Sequence, residues 1–290
     1  IPKRLIELNL DGRSLTGVLD VSSLTALTTL HLNNNALTGI TGLDQLPQLS
    51  VLTAEFNKLS NVDVSHNTQL TELNLASNQL SALDVGQNTS LVRLYCDNNQ
   101  IATLDLSQNA ALELLYCQSN QLTELDLSFN PQLKELRCQS NQLGRLEVSA
   151  CTQLEKLYCR RNQLTTLNVS SNINLTDFEC GNNFLKQLDV TQNTALTRLA
   201  CQSNELSSID ISKNTNLRIL VILNNQLTTL DLSALDQLST LYCNNNPLTG
   251  LDLSNNPQLY SLYCPHVGLT ALDLSNNPRL TVLDCVRGNQ

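Results

Sequence analysis

The sequence predicts a solenoid of about fourteen stacked turns, with one short parallel strand per turn and little or no helix. Two observations carry that expectation. Nine of the ten cysteines fall at 96, 117, 138, 159, 180, 201, 243, 264 and 285, every step being 21 residues apart from one double step across Ile222. A leucine stands five places before each of these anchors, and before the equivalent positions Leu10, Leu32, Ala54, Leu75 and Ile222, without a gap from Leu5 to Leu280. Self-similarity at a fixed period of this length marks an architecture in which no single turn buries its apolar face alone, and stacking makes one continuous core.

Each element of the turn follows from its spacing. The turn Leu133–Gln153 carries Leu133, Leu136, Cys138, Asn141, Leu143, Leu146 and Val148. The Leu-x-Cys alternation has the period of a strand, so Leu136 and Cys138 face inward while Glu135, Arg137 and Gln139 face outward. A second alternation, as in Leu125-Asp126-Leu127-Ser128, predicts short extended segments on the far side. Residues 1–74 read as slightly irregular turns that include two 22-residue steps, and 75–290 as regular 21-residue turns of one repeat domain. Ile1–Arg4 lead straight into repeat sequence and the chain stops mid-turn at Gln290, so flanking domains are expected beyond both ends.

Three polar columns run along the stack. Asn57, Asn78, Asn99, Asn120, Asn141, Asn162, Asn183, Asn204, Asn225 and Asn246 form one. A second includes Asn67, Asn88, Asn109, Asn130, Asn172, Asn193, Asn214, Asn256 and Asn277, with Cys151 and Leu235 in two of its slots. Both are expected to satisfy backbone groups that burial at the bends would leave unpaired. The third holds Asp63, Asp84, Asp105, Asp126, Glu147, Asp189, Asp210, Asp231, Asp252 and Asp273, broken by Asn168. Carboxylates one turn apart repel by about 1 kcal/mol in water. Two arrangements offset this: hydrogen bonds from hydroxyls such as Ser107 and Ser128 or from backbone N–H groups of the next turn, or a line of calcium ions.

Composition narrows the function. A net charge of -9 and a pI near 4.7 disfavour nucleic-acid binding, which needs clustered Lys and Arg. No apolar run reaches the roughly 18 residues that would insert into a membrane. His31, His66 and His266 are scattered, so no thiol has a base, and no short-spaced Cys/His pair suggests a metal. The chain therefore reads as a non-enzymatic binding module without catalytic residues, metal or cofactor. The column of cysteines reads as buried, reduced small hydrophobes, because parallel in-register side chains are poorly aimed for disulfides.

Segments such as Leu122-Thr123-Glu124-Leu125-Asp126-Leu127-Ser128 and Leu154-Glu155-Lys156-Leu157-Tyr158-Cys159 resemble the leucine-rich-repeat family, in particular its bacterial, internalin-like branch with cysteine in the strand. The resemblance covers essentially the whole chain. It implies a curved right-handed superhelix with the parallel sheet on its concave face, and an extracellular or cell-surface bacterial protein that recognises a protein or glycan there. Adhesion or host interaction would then be its role. An alternative is the recognition domain of a secreted effector whose catalytic domain lies elsewhere.

Outward strand positions carry what remains to be read about partners. Five of the six tyrosines share the position before the anchor: Tyr95, Tyr116, Tyr158, Tyr242 and Tyr263. Tyrosine offers large contact area and a polar tip at low entropic cost. Two patches are expected. Tyr95, Tyr116, Arg137, Tyr158 and Arg160, with Lys156 and Arg161, make a mixed basic and aromatic surface that Glu113, Glu135 and Glu155 could neutralise. Ile219, Val221 and Leu223, outward around buried Leu220 and Ile222 and continued by Tyr242 and Tyr263, make an aliphatic patch suited to a partner or to self-association.

Overall fold

The computed structural model describes residues 5–269 and 271–286; the readings made on Ile1–Arg4 and Gln290 lie outside the described residues. The chain packs as two compact units, Ile1–Leu143 and Gly144–Gln290. The first contains β1 (Glu7–Asn9), β2 (Thr16–Asp20), β3 (Thr29–His31), β4 (Ala36–Thr41), β5 (Val51–Thr53), β6 (Glu72–Asn74), β7 (Arg93–Tyr95), β8 (Leu114–Tyr116) and β9 (Glu135–Arg137). In it β1, β3 and β5 to β9 stack in parallel and in chain order. The second unit stacks β10 (Lys156–Tyr158), β11 (Asp177–Glu179), β12 (Arg198–Ala200), β13 (Ile219–Val221), β14 (Thr240–Tyr242), β15 (Ser261–Tyr263) and β16 (Val282–Asp284) in the same way. These are the strands that the repeat predicts, one before each anchor.

Register follows the leucines. Leu94 pairs with Leu73 and Leu115, and Leu241 with Leu220 and Leu262, so each core side chain sits on its equivalents. Each ladder strand is three residues long because the chain turns away just after it. The residue two places beyond the anchor takes a left-handed φ of 52–57° in turn after turn, at Asn34, Phe56, Ser77, Asn98, Ser119 and Ser140 in the first unit. Short polar side chains enter that region most readily, which suits the Asn and Ser that dominate the position. Helix is confined, among the described residues, to one 3-10 turn, Leu43–Gln45. Gly42 begins it with φ 80°, and a Cβ there would lie 2.4 Å from the Ser22 nitrogen. On the far side β2 and β4 pair into a two-stranded parallel ladder with a register shift between Gly17 and Val18, whereas segments such as 125–128 form no ladder.

The first asparagine column ties each turn to the one before it. Asn120 Oδ1 accepts the Ile101 N–H at 2.9 Å, while its Nδ2 donates to the carbonyls of Cys96 (3.0 Å) and Cys117 (3.1 Å). Asn204 repeats this with the Leu185 N–H and the carbonyls of Cys180 and Cys201. The second column works differently. Asn109 Nδ2 donates to the carbonyls of Val85 and Asn88, which also receive the Asn88 and Leu91 N–H groups. Those carbonyls keep a donor without the side chain, which is why Cys151 and Leu235, both fully buried, can occupy the same slot. Replacing Asn120 with Leu strands a buried N–H and is expected to cost roughly 2–4 kcal/mol in urea unfolding, whereas Asn109→Leu is expected to stay within about 1 kcal/mol of the parent.

The cysteine reading holds for eight side chains and fails for two. Cys96, Cys117, Cys138, Cys151, Cys159, Cys180, Cys201 and Cys243 are buried thiols, and desolvation pushes Cys151 up to about 11 and Cys201 and Cys243 to about 12. Cys264 and Cys285, however, form a disulfide between adjacent turns, with Cα atoms 4.7 Å apart. Separation was never the obstacle; direction was. Cys285 is only half-buried, so its side chain has room to turn towards Cys264 as the packed thiols cannot. Alkylation of the native protein is expected to label almost nothing, and alkylation of the unfolded protein eight cysteines, with the last two labelled only after reduction. Peptide mass spectrometry distinguishes these states.

Candidate binding face

The strands present their outward side chains in columns, and the two units use them differently. In the second unit Leu220 and Ile222 are fully buried while Ile219, Val221 and Leu223 are half-buried on the ladder face, as the alternation requires. Register places Val221 beside Tyr242 and Tyr242 beside Tyr263. The two tyrosine rings stack with centroids 4.3 Å apart and planes within 2°. Burial and then the neighbouring Tyr263 push the Tyr242 hydroxyl above its usual range, so that phenol stays neutral at physiological pH. The result is a smooth surface of aliphatic side chains and aromatic faces with few charges.

In the first unit the structure brings Tyr95, Tyr116 and Arg137 together. The Tyr95 and Tyr116 rings meet edge to face at 4.9 Å, and the Arg137 guanidinium lies 4.4 Å from the Tyr116 centroid. Both Tyr116 and Arg137 also engage Glu135: the Tyr116 hydroxyl donates to it at 2.8 Å and Arg137 Nε at 2.7 Å. Burial, reinforced by Glu135, pushes Tyr116 up to about 12. Glu135 points outward as its position requires, yet it is only 8% exposed because its partners cover it. Lys134 likewise pairs with Glu113 at 2.9 Å.

Tyr158 and Arg160 belong to the second unit. The Tyr158 hydroxyl donates to Asp177 at 2.9 Å, and Arg160 lies 3.5 Å from Glu179. Arg198, not singled out by the sequence reading, organises this region: it bridges Asp177 at 3.0 Å and also Glu179. Its signal was available, since opposite charges 21 residues apart at outward strand positions, such as Asp177 and Arg198 or Glu72 and Arg93, must lie side by side.

Comparison with known proteins adds a family to this geometry. No family model matches the chain, and neither does any curated protein. Among solved structures, the functional domain of InlJ from Listeria monocytogenes, which includes a cysteine ladder, superposes with a TM-score of 0.92 and 36% identity, over 97% of this chain and 68% of that one. The chain belongs to the internalin-like leucine-rich-repeat proteins. InlF, an internalin from the same organism, shares the fold at 24% identity with a TM-score of 0.90, over 99% of this chain and 88% of its own. The Arabidopsis receptor kinase HAESA, solved with the peptide hormone IDA and the co-receptor SERK1, shares it at 24% identity and 0.81, over 95% and 53%.

The aspartate column of this internalin-like solenoid is satisfied within each turn, not from the next one. Asp105, Asp126 and Asp252 each accept the N–H of the serine two residues on at 2.9 Å, and Asp63 and Asp189 accept a hydroxyl there as well. These bonds hold the carboxyls of Asp105, Asp126, Asp210, Asp231, Asp252 and Asp273 below the usual carboxylate range. A depressed folded-state pKa stabilises above the unfolded value, about 3.9, and that contribution is lost as pH falls through the folded value. Asp97 acts oppositely, since burial raises its carboxyl and protonation relieves the cost. The column outnumbers it. The melting temperature is therefore expected to hold from neutral pH to about 5 and to fall below about 4. Millimolar calcium or a chelator is expected to leave it unchanged; a rise of many degrees with calcium would overturn the within-turn account.

Proposed function

We propose that this internalin-like chain is a non-enzymatic binding module, displayed on a bacterial cell surface or secreted, whose ladder face recognises a protein in adhesion or host contact. The observation that carries the reading is the neutral patch of Ile219, Val221 and Leu223 beside the stacked pair Tyr242 and Tyr263. Water covering that surface forgoes about 25 cal/mol per Å² of apolar area that a partner would gain. Aliphatic side chains flanked by aromatic ones with polar tips have the composition of an interface centre. By contrast, Tyr116, Arg137 and Glu135 in the first unit, and Arg160, Arg198 and Glu179 in the second, spend polar groups on one another. A partner there would have to replace interactions already made. HAESA, which has the same fold, was solved with a peptide hormone and a protein co-receptor, so this fold does take protein ligands.

The test is the double replacement of Val221 and Leu223 by Ser. Folding is expected to persist, because both side chains point away from the core. A displayed library of extended peptides, selected on the parent chain, should yield apolar-rich binders that lose roughly 1–3 kcal/mol of affinity for the variant. Sedimentation velocity of both proteins separates a foreign protein from a second copy: a parent dimer that the variant abolishes would assign the surface to self-association. Unchanged binding by the folded variant would remove the patch from consideration.

A further inference from the structure

Independently of the ladder face, we propose that a cleft in the second unit, centred on Asn168, is a binding site for a neutral saccharide. The cleft has a volume of about 610 Å³ and lies away from the ladder strands, where the chain leaves β10 and runs towards Asn172. Thr165, Thr166 and Leu167 line it together with Asn168. Glu147 lines it from the preceding turn, and Lys186 and Asp189 line it from the following one. A turn of small side chains between two turns of long ones makes the depression. Glu147 is ion-paired with Arg145 at 3.0 Å.

The ligand class follows from the order of donors and acceptors. This is the one break that Asn makes in the acidic column. Asn168 Oδ1 accepts the Ser170 N–H at 3.0 Å, as the aspartates do in their own turns, which leaves the amide NH2 as an outward donor. Asp189 Oδ1 is occupied by the Thr191 N–H and hydroxyl, which leaves Oδ2 as an outward acceptor. Arg145 holds Glu147 through Oε1, which leaves Oε2, so the three successive turns offer carboxylate oxygen, amide donor and carboxylate oxygen at the repeat spacing, with two threonine hydroxyls and Lys186, itself 4.0 Å from Glu205, beside them. Two carboxylates, Glu147 and Asp189, against the single Lys186 ammonium make the lining acidic on balance, which disfavours a phosphate or carboxylate. A cation would meet the amide N–H groups where it needs oxygen, since hard cations take oxygen ligands. A hydroxyl both donates and accepts. Several hydroxyls on a ring fit alternating donors and acceptors, while the ring's apolar face covers the threonine methyls.

The decisive variant is Asn168→Asp. It restores the residue type that most of the column carries, and the new carboxylate can still accept the Ser170 N–H, so folding is preserved while the donor is lost. The 15N-labelled chain is titrated with methyl glycosides of neutral hexoses and N-acetylhexosamines, with calcium chloride and inorganic phosphate as parallel probes. Saturable shifts are expected at the amides of Thr165, Thr166 and Asn168 with at least one glycoside, weakened about tenfold or more by Asn168→Asp. Thr166→Arg, which fills the cleft from an exposed position, should abolish them. The Val221/Leu223 double variant should leave them unchanged, so this site and the ladder face fail or stand separately. The proposal is overturned if no glycoside shifts these amides up to its solubility, if Asn168→Asp binds as well as the parent, or if calcium or phosphate saturates the cleft in place of the sugars.

Discussion

Four residues beyond most ladder strands stands an asparagine, buried at Asn78, Asn120 and Asn204, and the rest of the turn depends on that side chain. Three-residue strands contribute few backbone bonds, and the left-handed bend that follows strand after strand turns N–H and C=O groups towards the buried core. An unpaired buried backbone group costs about as much as a lost hydrogen bond or more. Asn78, Asn120 and Asn204 answer this with one acceptor and a two-pronged donor, each reaching the preceding turn and their own. Aspartate would lack the donor, and glutamine would place the amide one methylene too far from the backbone. The bend, the strand length and the repeat period are therefore set together.

That bond fixes the height of a turn, and the core slot beside it takes side chains of several sizes. Cys96, Cys117 and Cys138 fill it in consecutive turns of the first unit, after Ala54 and Leu75, and Ile222 fills it once in the second. A thiol is small, polarizable and apolar enough to be fully buried, and burial in turn raises its pKa and keeps it unreactive. The same slot becomes chemically different where packing relaxes. Half-buried Cys285 reaches Cys264, and an inert stack ends in a covalent link.

Because core and backbone consume the inward positions, the chain can vary mainly in what it presents outward, and it does so in two ways. Around Tyr116 and Arg137, and around Arg198, it builds closed networks of rings and ion pairs. Exposed pairs of this kind contribute little to stability, but several charges sharing partners fix side-chain positions. Around Val221, Tyr242 and Tyr263 it leaves apolar and aromatic surface unspent. The contrast between spent and unspent chemistry, more than the tyrosine column itself, distinguishes the two surfaces.

Fold class, turn length, ladder register and the burial of Leu136 or Ile222 were legible because stacking turns one-dimensional periodicity into three-dimensional neighbourhood: a residue's neighbours are those 21 places away. For that reason the outward direction of Ile219, Val221 and Leu223 was legible too. What periodicity does not contain is where a side chain points once it leaves its slot. That Glu135 is covered, that the aspartates bond within their own turn, that Arg198 joins two acids and that Asn168 stands over a cleft all depend on rotamers and on the sizes of adjacent side chains. The end of the cysteine column shows the same division. The sequence determined by itself that Cys264 and Cys285 are neighbours, through their spacing of 21. Only the tertiary structure decided that they bond, because loosened packing, not spacing, gives a thiol the freedom to turn towards its neighbour.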